Sequence, residues 1–382
     1  MGKNGKQREA GKNRKSSVGM KTLKRKSVIG LFVTACILSA CGSSETGPQL
    51  LREWVVQADA EVLGMQEQDR IYRVAMVTDI GGVDDQGFNQ SAWDGLEALK
   101  SVTGASVSFV ESQSEEDFVP NFTELAENGY TLCWGVGYQC ADALLAVAEK
   151  YPEVNFAIID NAYETPPENV TSVVFRAQES SFVVGYIAAC VTKTNSVGFV
   201  GGVQSDIIDQ FQYGYEAGVA YANHLHHKNV KISVEYVGNF YDSVSGGQIA
   251  DTMYGDGCDV IYAAAGGAGL GVIESAGKNG HYVIGVDKDQ AYLDPEHVLS
   301  SGMKKVDVAI LRVSQDYEQG RSIGGKTLSF GMAEGAVGIP ENHENYSDEI
   351  YDAAVGLCDE IKAGKLVPPA NEEEYKAFVS GL

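Results

Sequence analysis

Short runs of β-branched and aromatic residues alternate with longer amphipathic stretches from residue 72 onward. In the first series the predicted strands are Tyr72–Thr78, Ser106–Val110, Thr131–Val136 and Asn155–Ile159, with predicted helices at Asn89–Lys100 and Ala141–Tyr151. Strands that alternate with helices of this length are typical of repeated βαβ units, which form parallel sheets.

A second series with the same pattern follows. Its predicted strands are Ser196–Val200, Lys231–Val237, Val260–Ala263 and Tyr282–Val286, with predicted helices at Ile208–Ala222 and Val272–Lys278. The 382 residues are about twice a typical domain length. The chain is therefore expected to form two doubly wound, Rossmann-like α/β lobes.

The segments that follow the predicted strands are rich in glycine, carboxylate and amide side chains. They are 79–89, 160–161, 201–202, 266–269 and 287–289. In doubly wound sheets, ligands bind beyond the carboxyl ends of the strands, so these segments are the expected binding site. Glycine lets a backbone approach a ligand, and carboxylates accept hydrogen bonds from hydroxyl and N–H donors. A neutral polyol or nucleoside fits this chemistry better than a phosphate, which acidic loops would repel.

The first 40 residues differ in charge from the rest and are expected to be a signal peptide. They contain ten Lys and Arg, and the apolar run Ser27–Leu38 is too short to span a bilayer comfortably. Leu38-Ser39-Ala40-Cys41 resembles a bacterial lipobox, which implies lipidation of Cys41 and a membrane-anchored, extracytoplasmic protein. The alternative is a short transmembrane anchor that stays uncleaved.

Residues 41–70 are expected to be a tether that carries one helix. Gly42–Pro48 has the composition of a flexible linker. Residues 49–68 place apolar side chains at spacings near three and four, which predicts an amphipathic helix. This helix is interpreted as a spacer, with docking of a partner or of the membrane surface as the alternative.

Charge and cysteine content exclude several classes of protein. Residues 41–382 carry 19 Lys and Arg against 51 Asp and Glu, so charge will not draw this part of the chain to nucleic acid. The seven cysteines form neither a close-packed disulfide framework nor a pair of CxxC motifs for zinc. No cofactor and no metal are expected.

Several motifs, in order, resemble the basic membrane protein family of substrate-binding lipoproteins, which includes purine nucleoside receptors. They are Asp79–Gln90, Val200–Gly202, Phe211–Tyr215 with Ala217 and Gly218, Ala264–Gly269, Val283–Asp287 and Ser300–Lys304. The resemblance implies the type I periplasmic-binding-protein fold, with two lobes joined by three crossovers and the ligand in the cleft between them. It also implies a monomer that delivers a nucleoside, with a purine expected, to an ABC permease.

The resemblance also implies roles for individual residues. Phe88 and Phe211 would sandwich the base, while Asn89 and Asp160 would hydrogen-bond its edge. Asp287, the Gly266-Gly267 backbone and Lys304 would hold the ribose, and Asp85 is a further candidate in the same motif. The expected lobes are 71–183 with roughly 303–332 for the first, and 184–302 with roughly 333–382 for the second.

Each of these assignments has a structural alternative. Phe88 and Phe211 could be core residues, and Asp84, Asp85 and Asp289 could be helix caps. Asp79 is interpreted, at most, as a support for the ligand contacts.

Two other functions are alternatives to transport. An enzyme is disfavoured, because neither G-x-S-x-G nor H-E-x-x-H occurs and the histidines at 224, 226 and 227 are better explained by a helix end. A sensory or sugar-binding lipoprotein of the same fold, without a permease, is the remaining alternative.

Overall fold

A computed structural model describes residues 72–382, which belong to one compact unit. The predicted signal peptide (1–40), the lipidation site Cys41 and the predicted helix within 49–68 lie outside the described residues. Among residues 72–382, no helix combines the length and the apolar character needed to cross a membrane.

The first sheet has six parallel strands. They are β1 (Arg73–Val77), β2 (Ser106–Val110), β3 (Leu132–Val136), β4 (Asn155–Ile159), β5 (Val170–Phe175) and β11 (Lys326–Phe330). Their order across the sheet is β11-β5-β4-β3-β1-β2. Since β1 lies between β2 and β3, the winding direction reverses beside it, and this reversal opens a crevice at the carboxyl ends of the strands.

The second sheet repeats this arrangement. It contains β6 (Ser196–Gly201), β7 (Lys231–Tyr236), β8 (Val260–Ala264), β9 (Tyr282–Asp287), β10 (Val298–Lys304) and β12 (Val337–Gly338). The order is β12-β10-β9-β8-β6-β7, and only the short β12 is antiparallel to its neighbour. The winding reverses at β6, at the position that β1 occupies in the first sheet.

Ten α-helices cover the two sheets. They are α1 (Phe88–Thr103), α2 (Phe118–Glu127), α3 (Ala141–Lys150), α4 (Gln178–Val191), α5 (Asp206–His226), α6 (Ser243–Gly255), α7 (Gly269–Asn279), α8 (Val306–Glu318), α9 (Asp348–Lys362) and α10 (Glu372–Ser380) within the described residues. All eight predicted strands are present, with ends that differ by one residue at most. The predicted fold class is confirmed: the chain has the two-lobed type I architecture.

The chain passes between the sheets three times. It crosses through α4 between β5 and β6, returns through α8 between β10 and β11, and crosses again between β11 and β12. Helix α8 packs on α1 of the first half, whereas α4 packs along α5 of the second. The expected lobe boundary between residues 183 and 184 therefore falls inside α4.

Helices α4 and α5 pack closely because glycines face backbone atoms across their contact. A Cβ added to Gly218 of α5 would lie 1.9 Å from the Phe182 carbonyl oxygen of α4, and one added to Gly185 would lie 2.2 Å from the Tyr215 carbonyl oxygen. No side chain fits at these distances. The two glycines thus set the position of α5, which carries Phe211.

Substitution Gly218→Ala is expected to lower the free energy of unfolding by about 1–3 kcal/mol, because the new methyl group forces α4 and α5 apart. The matched control is Gly356→Ala on α9, where an added Cβ meets nothing within 4 Å. Alanine there should stabilise the helix by about 0.5–1 kcal/mol. Urea unfolding of both variants tests this, and equal stability of the two would contradict the packing argument.

Candidate functional site

A cavity lies where the carboxyl ends of the two sheets meet. It encloses about 620 Å³ of space free of protein atoms, including the open solvent at its mouth. Its lining residues are Asp79, Gly81, Asp85, Phe88, Asn89, Gly137, Tyr138, Gln139, Asp160, Ile207, Ile208, Phe211, Phe240, Ala264, Gly266, Gly267, Val286, Asp287 and Lys304. Both sheets contribute, so a ligand here would contact both halves of the chain.

Asp85 organises the loop that leads from β1 into α1. Its carboxylate accepts hydrogen bonds from the backbone N–H groups of Gly87 (3.0 Å), Asn89 (2.8 Å) and Gln90 (3.0 Å). These bonds satisfy N–H groups at the start of α1 that have no partner within the helix. Burial raises the pKa of Asp85, and the N–H donors counteract that rise. Asp85 therefore lines the cavity while its oxygens serve mainly as a helix cap.

Asn89 is almost completely buried and has a fixed orientation. Its Nδ2 donates to Asp79 Oδ1 at 2.7 Å and to Asp85 Oδ2 at 3.2 Å. A flipped amide would place its oxygen against two carboxylate oxygens, so the amide oxygen has to be the free end. That oxygen, Oδ1, is buried and has no hydrogen-bond partner among the described residues. Burial raises the pKa of Asp79 to about 6, against the hydrogen bond from Asn89.

Asp160 and Asp287 occupy corresponding places in the two halves. Asp160 follows β4 and Asp287 ends β9, and both have the left-handed backbone conformation, with φ of 61° and 64°. This conformation is uncommon for residues other than glycine, and strained backbones of this kind cluster at binding and active sites. Both side chains are buried and line the cavity.

Lys304 is the only lysine or arginine among the described residues that line the cavity. Its side chain is buried, and its Nζ lies 2.5 Å from Asp160 Oδ2 and 3.9 Å from Asp287 Oδ1. Because Lys304 ends β10 of the second sheet, its pair with Asp160 joins the two halves. Burial raises the pKa of Asp287 to about 7, although the Lys304 ammonium opposes the rise. Asp287 Oδ1 has no hydrogen-bond partner among residues 72–382.

Three phenylalanine rings form part of the cavity wall. Phe88 is the first residue of α1 and Phe211 lies on α5, and the Lys304 ammonium lies 4.4 Å and 5.5 Å from their ring centroids. Both rings therefore present electron-rich faces to the same part of the cavity. Phe240 follows β7, and a Cβ on Gly202 would lie 2.2 Å from its ring. The Phe240 ring fits here because Gly202 has no side chain.

Gly266 and Gly267 let the loop after β8 approach neighbouring backbone. Gly266 has a φ of +54°, and a Cβ added to Gly267 would lie 3.3 Å from the Phe240 carbonyl oxygen and 3.9 Å from the Asp85 Cβ. The second contact spans the two halves of the chain. Larger side chains here would narrow the cavity.

The structure brings all nine sequence-predicted binding residues to the edge of this one cavity. They are Asp85, Phe88, Asn89, Asp160, Phe211, Gly266, Gly267, Asp287 and Lys304. Their contact with a ligand stays a prediction.

Sequence reasoning did not identify Tyr138 and Phe240, and it gave Asp79 only a supporting role. Phe240 could have been found, because it lies just beyond the carboxyl end of β7, whose following segment was not considered. Asp84 and Asp289 are exposed and do not line the cavity.

The histidines near the end of α5 lie apart from the cavity lining. His226 Nε2 lies 3.1 Å from the Tyr186 hydroxyl, and His227 is the left-handed cap of the helix. Within residues 72–382, no three His, Cys, Asp or Glu side chains are grouped in a way that could hold a metal ion.

Comparison with known proteins identifies the family. The model of the family described as "ABC transporter substrate-binding protein PnrA-like" (Bmp) matches residues 72–372. The chain belongs to the Bmp family. It is 39% identical to Basic membrane protein A of Borreliella afzelii over 314 residues, which cover 81% of this chain and 95% of that protein. It is 35% identical to a CD4+ T-cell-stimulating antigen of Listeria innocua over 361 residues, which cover 89% and 96%.

Solved structures support the same conclusion. An ABC transporter solute-binding protein from Aeropyrum pernix K1 matches with a TM-score of 0.72 and 28% identity, over 81% of this chain and 96% of that one. The arabinose-binding protein of a Shewanella ABC transporter shares the fold alone, with a TM-score of 0.53, 14% identity and coverage of 77% and 98%. Bmp proteins are substrate-binding proteins of ABC transporters, associated with the membrane outside the cytoplasm, and they are not enzymes.

The raised pKa of Asp287 predicts a pH dependence of stability. Between about pH 4 and pH 7 the folded protein keeps a proton on Asp287 that the unfolded chain has released, so its stability falls as the pH rises through this range. Asp287→Asn removes this proton linkage. The variant should gain stability relative to wild type by on the order of 2 kcal/mol between pH 4.5 and pH 8.

Urea unfolding of ligand-free wild type and Asp287→Asn at both pH values measures this difference. Asp251→Asn is the control, because Asp251 is an exposed carboxyl whose pKa is lowered to about 2, mainly by Lys278. It should show no gain of stability at pH 8. A constant difference between Asp287→Asn and wild type across this range would contradict the burial argument.

Proposed function

We propose that this protein binds a nucleoside, with a purine base, in the cavity between its two halves and delivers it to an ABC permease. One observation carries the proposal: the cavity combines two aromatic rings, Phe88 and Phe211, with buried acceptors that lack a partner, Asn89 Oδ1 and Asp287 Oδ1. A nucleoside has one flat aromatic part and several hydrogen-bond donors. A nucleoside could therefore stack on the aromatic rings and donate hydrogen bonds to the unpaired acceptors at the same time.

Stacking alone would give too little affinity. A base stacked on one aromatic side chain gains roughly 1–3 kcal/mol, so two rings supply at most about 6, whereas micromolar affinity needs about 8.2 kcal/mol. Hydrogen bonds have to supply the difference. A buried acceptor without a partner costs about 1–3 kcal/mol, so a ligand donor that reaches Asn89 or Asp287 also removes a cost present in the free protein.

The fixed orientation of Asn89 supports its proposed role at the edge of the base. Because Nδ2 is engaged by Asp79 and Asp85, Asn89 offers the ligand an acceptor, which an N–H group of the base would satisfy. Asp160 is the second acceptor proposed for this edge.

The ribose hydroxyls are proposed to donate to Asp287. Lys304 and the Gly266-Gly267 backbone would hold the same sugar, since they lie on the second half beside Asp287. Asp85 would act indirectly, by holding the loop that carries Phe88 and Asn89.

Charge favours a nucleoside over a nucleotide. Four carboxyl groups line the cavity, Asp79, Asp85, Asp160 and Asp287, against the single ammonium of Lys304 in the described lining. That ammonium is already paired with Asp160. A phosphate would therefore enter a site without a free cation to compensate its charge.

We further propose that the protein acts as a monomer, held to the outer face of the cell membrane by a lipid on Cys41. Two or more acyl chains give stable anchoring without a membrane-spanning helix. Fatty-acid labelling of wild type and of Cys41→Ala would measure this anchor.

Isothermal calorimetry tests the ligand class. Inosine, guanosine or adenosine should bind at least tenfold more tightly than the matching 5′-monophosphate, because the phosphate dianion lies among carboxylates. Ribose alone serves as the control for the contribution of the base. Tighter binding of the monophosphate would show that the charge of the cavity has been misjudged.

Alanine substitutions at the two rings test the stacking role. Phe88→Ala and Phe211→Ala should each weaken nucleoside binding by roughly 1–3 kcal/mol, a factor of about five to 150. A ring that serves only the core would instead cost about 3–5 kcal/mol of folding stability. Phe330→Ala is the control, because Phe330 is buried on β11 and does not line the cavity.

Affinity should therefore fall in the first two variants, while the main loss in Phe330→Ala should be stability. Nucleoside titration and urea unfolding of all three separate the outcomes. Wild-type affinity in Phe88→Ala and Phe211→Ala would remove the stacking argument.

A further inference from the structure

Gln290 connects the two halves of the chain at the edge of the cavity. It follows Asp287 by three residues and is buried. Its side-chain Oε1 accepts a hydrogen bond from the Val286 N–H at 2.9 Å. Its backbone N–H donates to Ser301 Oγ at 3.1 Å, and both bonds lie within the second half. Its Nε2 donates to the Gln86 carbonyl oxygen at 3.1 Å, across to the first half. One side chain is thus fixed in one half and bonded to the other.

Gln86 has an unfavourable backbone conformation in the loop between β1 and α1. Its φ of 56° lies in the left-handed region, which is uncommon for glutamine. It sits between Asp85, which caps α1, and Gly87, and it precedes Phe88 by two residues. A second bond from the other half reaches the same residue, since the Tyr292 hydroxyl lies 2.8 Å from Gln86 Oε1. The loop conformation that places Phe88 is therefore supported from the second half.

The surrounding contacts show how closely the two loops meet. A Cβ added to Gly87 would lie 3.7 Å from Asp287 Oδ2 and 3.9 Å from Gln290 Nε2. Nearby, Lys288 Nζ lies 2.5 Å from Asp94 Oδ2 of α1, but both side chains are partly exposed and such pairs contribute little. The bond from the buried Gln290 side chain to the partly buried Gln86 carbonyl is the stronger candidate for a contact that holds the halves together.

We propose that Gln290 is a positioning residue that holds the Phe88 loop against the Asp287 loop and so keeps the two halves closed, both with and without a ligand. It touches no ligand in this proposal. By holding Gln86 it would set Phe88 and Asn89 opposite Asp287 and delay release of the ligand. The inference rests on the proposed function for the identity of the ligand, but the contact between the halves can be measured without one.

Gln290→Glu isolates the bond across the cavity. The new side chain keeps an oxygen for the Val286 N–H and loses the donor, so that a carboxylate oxygen faces the Gln86 carbonyl oxygen. Gln248→Glu is the matched control, because Gln248 is an exposed residue of α6 and the substitution adds the same charge away from the cavity. Tyr292→Phe is a second, milder variant that removes only the hydroxyl bonded to Gln86.

Stopped-flow binding of inosine, small-angle scattering with and without inosine, and urea unfolding are measured on each protein. In Gln290→Glu we expect inosine to dissociate at least tenfold faster with a smaller change in association rate, and the ligand-free protein to have a larger radius of gyration than wild type. Tyr292→Phe should release inosine about two- to fivefold faster. Gln248→Glu should match wild type in all three measurements.

Wild-type dissociation and scattering in Gln290→Glu would overturn the inference. A loss of stability in Gln290→Glu without any change in the rate of inosine dissociation would also overturn it, because Gln290 would then have a structural role only. If Gln290→Glu does not fold, wild-type dissociation in Tyr292→Phe decides against the proposal. If wild type binds no nucleoside, the proposed function fails, and the scattering of the ligand-free proteins still decides whether Gln290 holds the halves together.

Discussion

The buried ammonium of Lys304 links the two halves of the chain at the centre of the site. It ends a strand of the second sheet, pairs with Asp160 of the first and lies near Asp287, while four carboxyl groups line the same cavity. Removing one partner of a buried ion pair usually costs 3–5 kcal/mol, because the other charge is left uncompensated. The Lys304 ammonium lies between the acidic loops of the two halves and offsets part of the repulsion between their carboxylates.

The same arrangement explains why the cavity suits a ligand rich in donors. These carboxyl groups receive little solvation, and their burial raises the pKa of Asp79 to about 6 and that of Asp287 to about 7. Asn89 is oriented by its acidic neighbours so that another acceptor is left free. Amino and hydroxyl groups of a ligand would supply what the protein lacks, and the family, whose members are substrate-binding proteins of ABC transporters, is consistent with such a role.

Most of the fold could be predicted from the sequence because its signals are local. Each of the eight predicted strands is a short apolar run bounded by polar residues, and parallel strands buried on both faces give this signal clearly. Four strands of the described chain, β5, β10, β11 and β12, are not among the predicted ones. Of these, β5 and β10 follow loops without an intervening helix and so break the alternation. The crossing through α4 depends on glycine contacts with α5, which no pattern within one segment reveals.

The site was predictable to the extent that its residues follow strands. Asp160, Gly266 and Asp287 do so in the sequence, and the motif resemblance added Phe88 and Phe211. Gln290 could not be found in this way, because its role arises from a bond to a residue 204 positions away. Asp79 lines the cavity and holds the Asn89 amide, which agrees with the supporting role expected for it.

A purine nucleoside is the ligand proposed for the cavity. Native mass spectrometry of the protein, purified from cells without added ligand, tests this most directly, since a tightly held ligand survives purification and its mass identifies it. We expect a fraction of the protein to carry one nucleoside, which is released when the protein is unfolded. A retained sugar, amino acid or nucleoside phosphate in its place would contradict it.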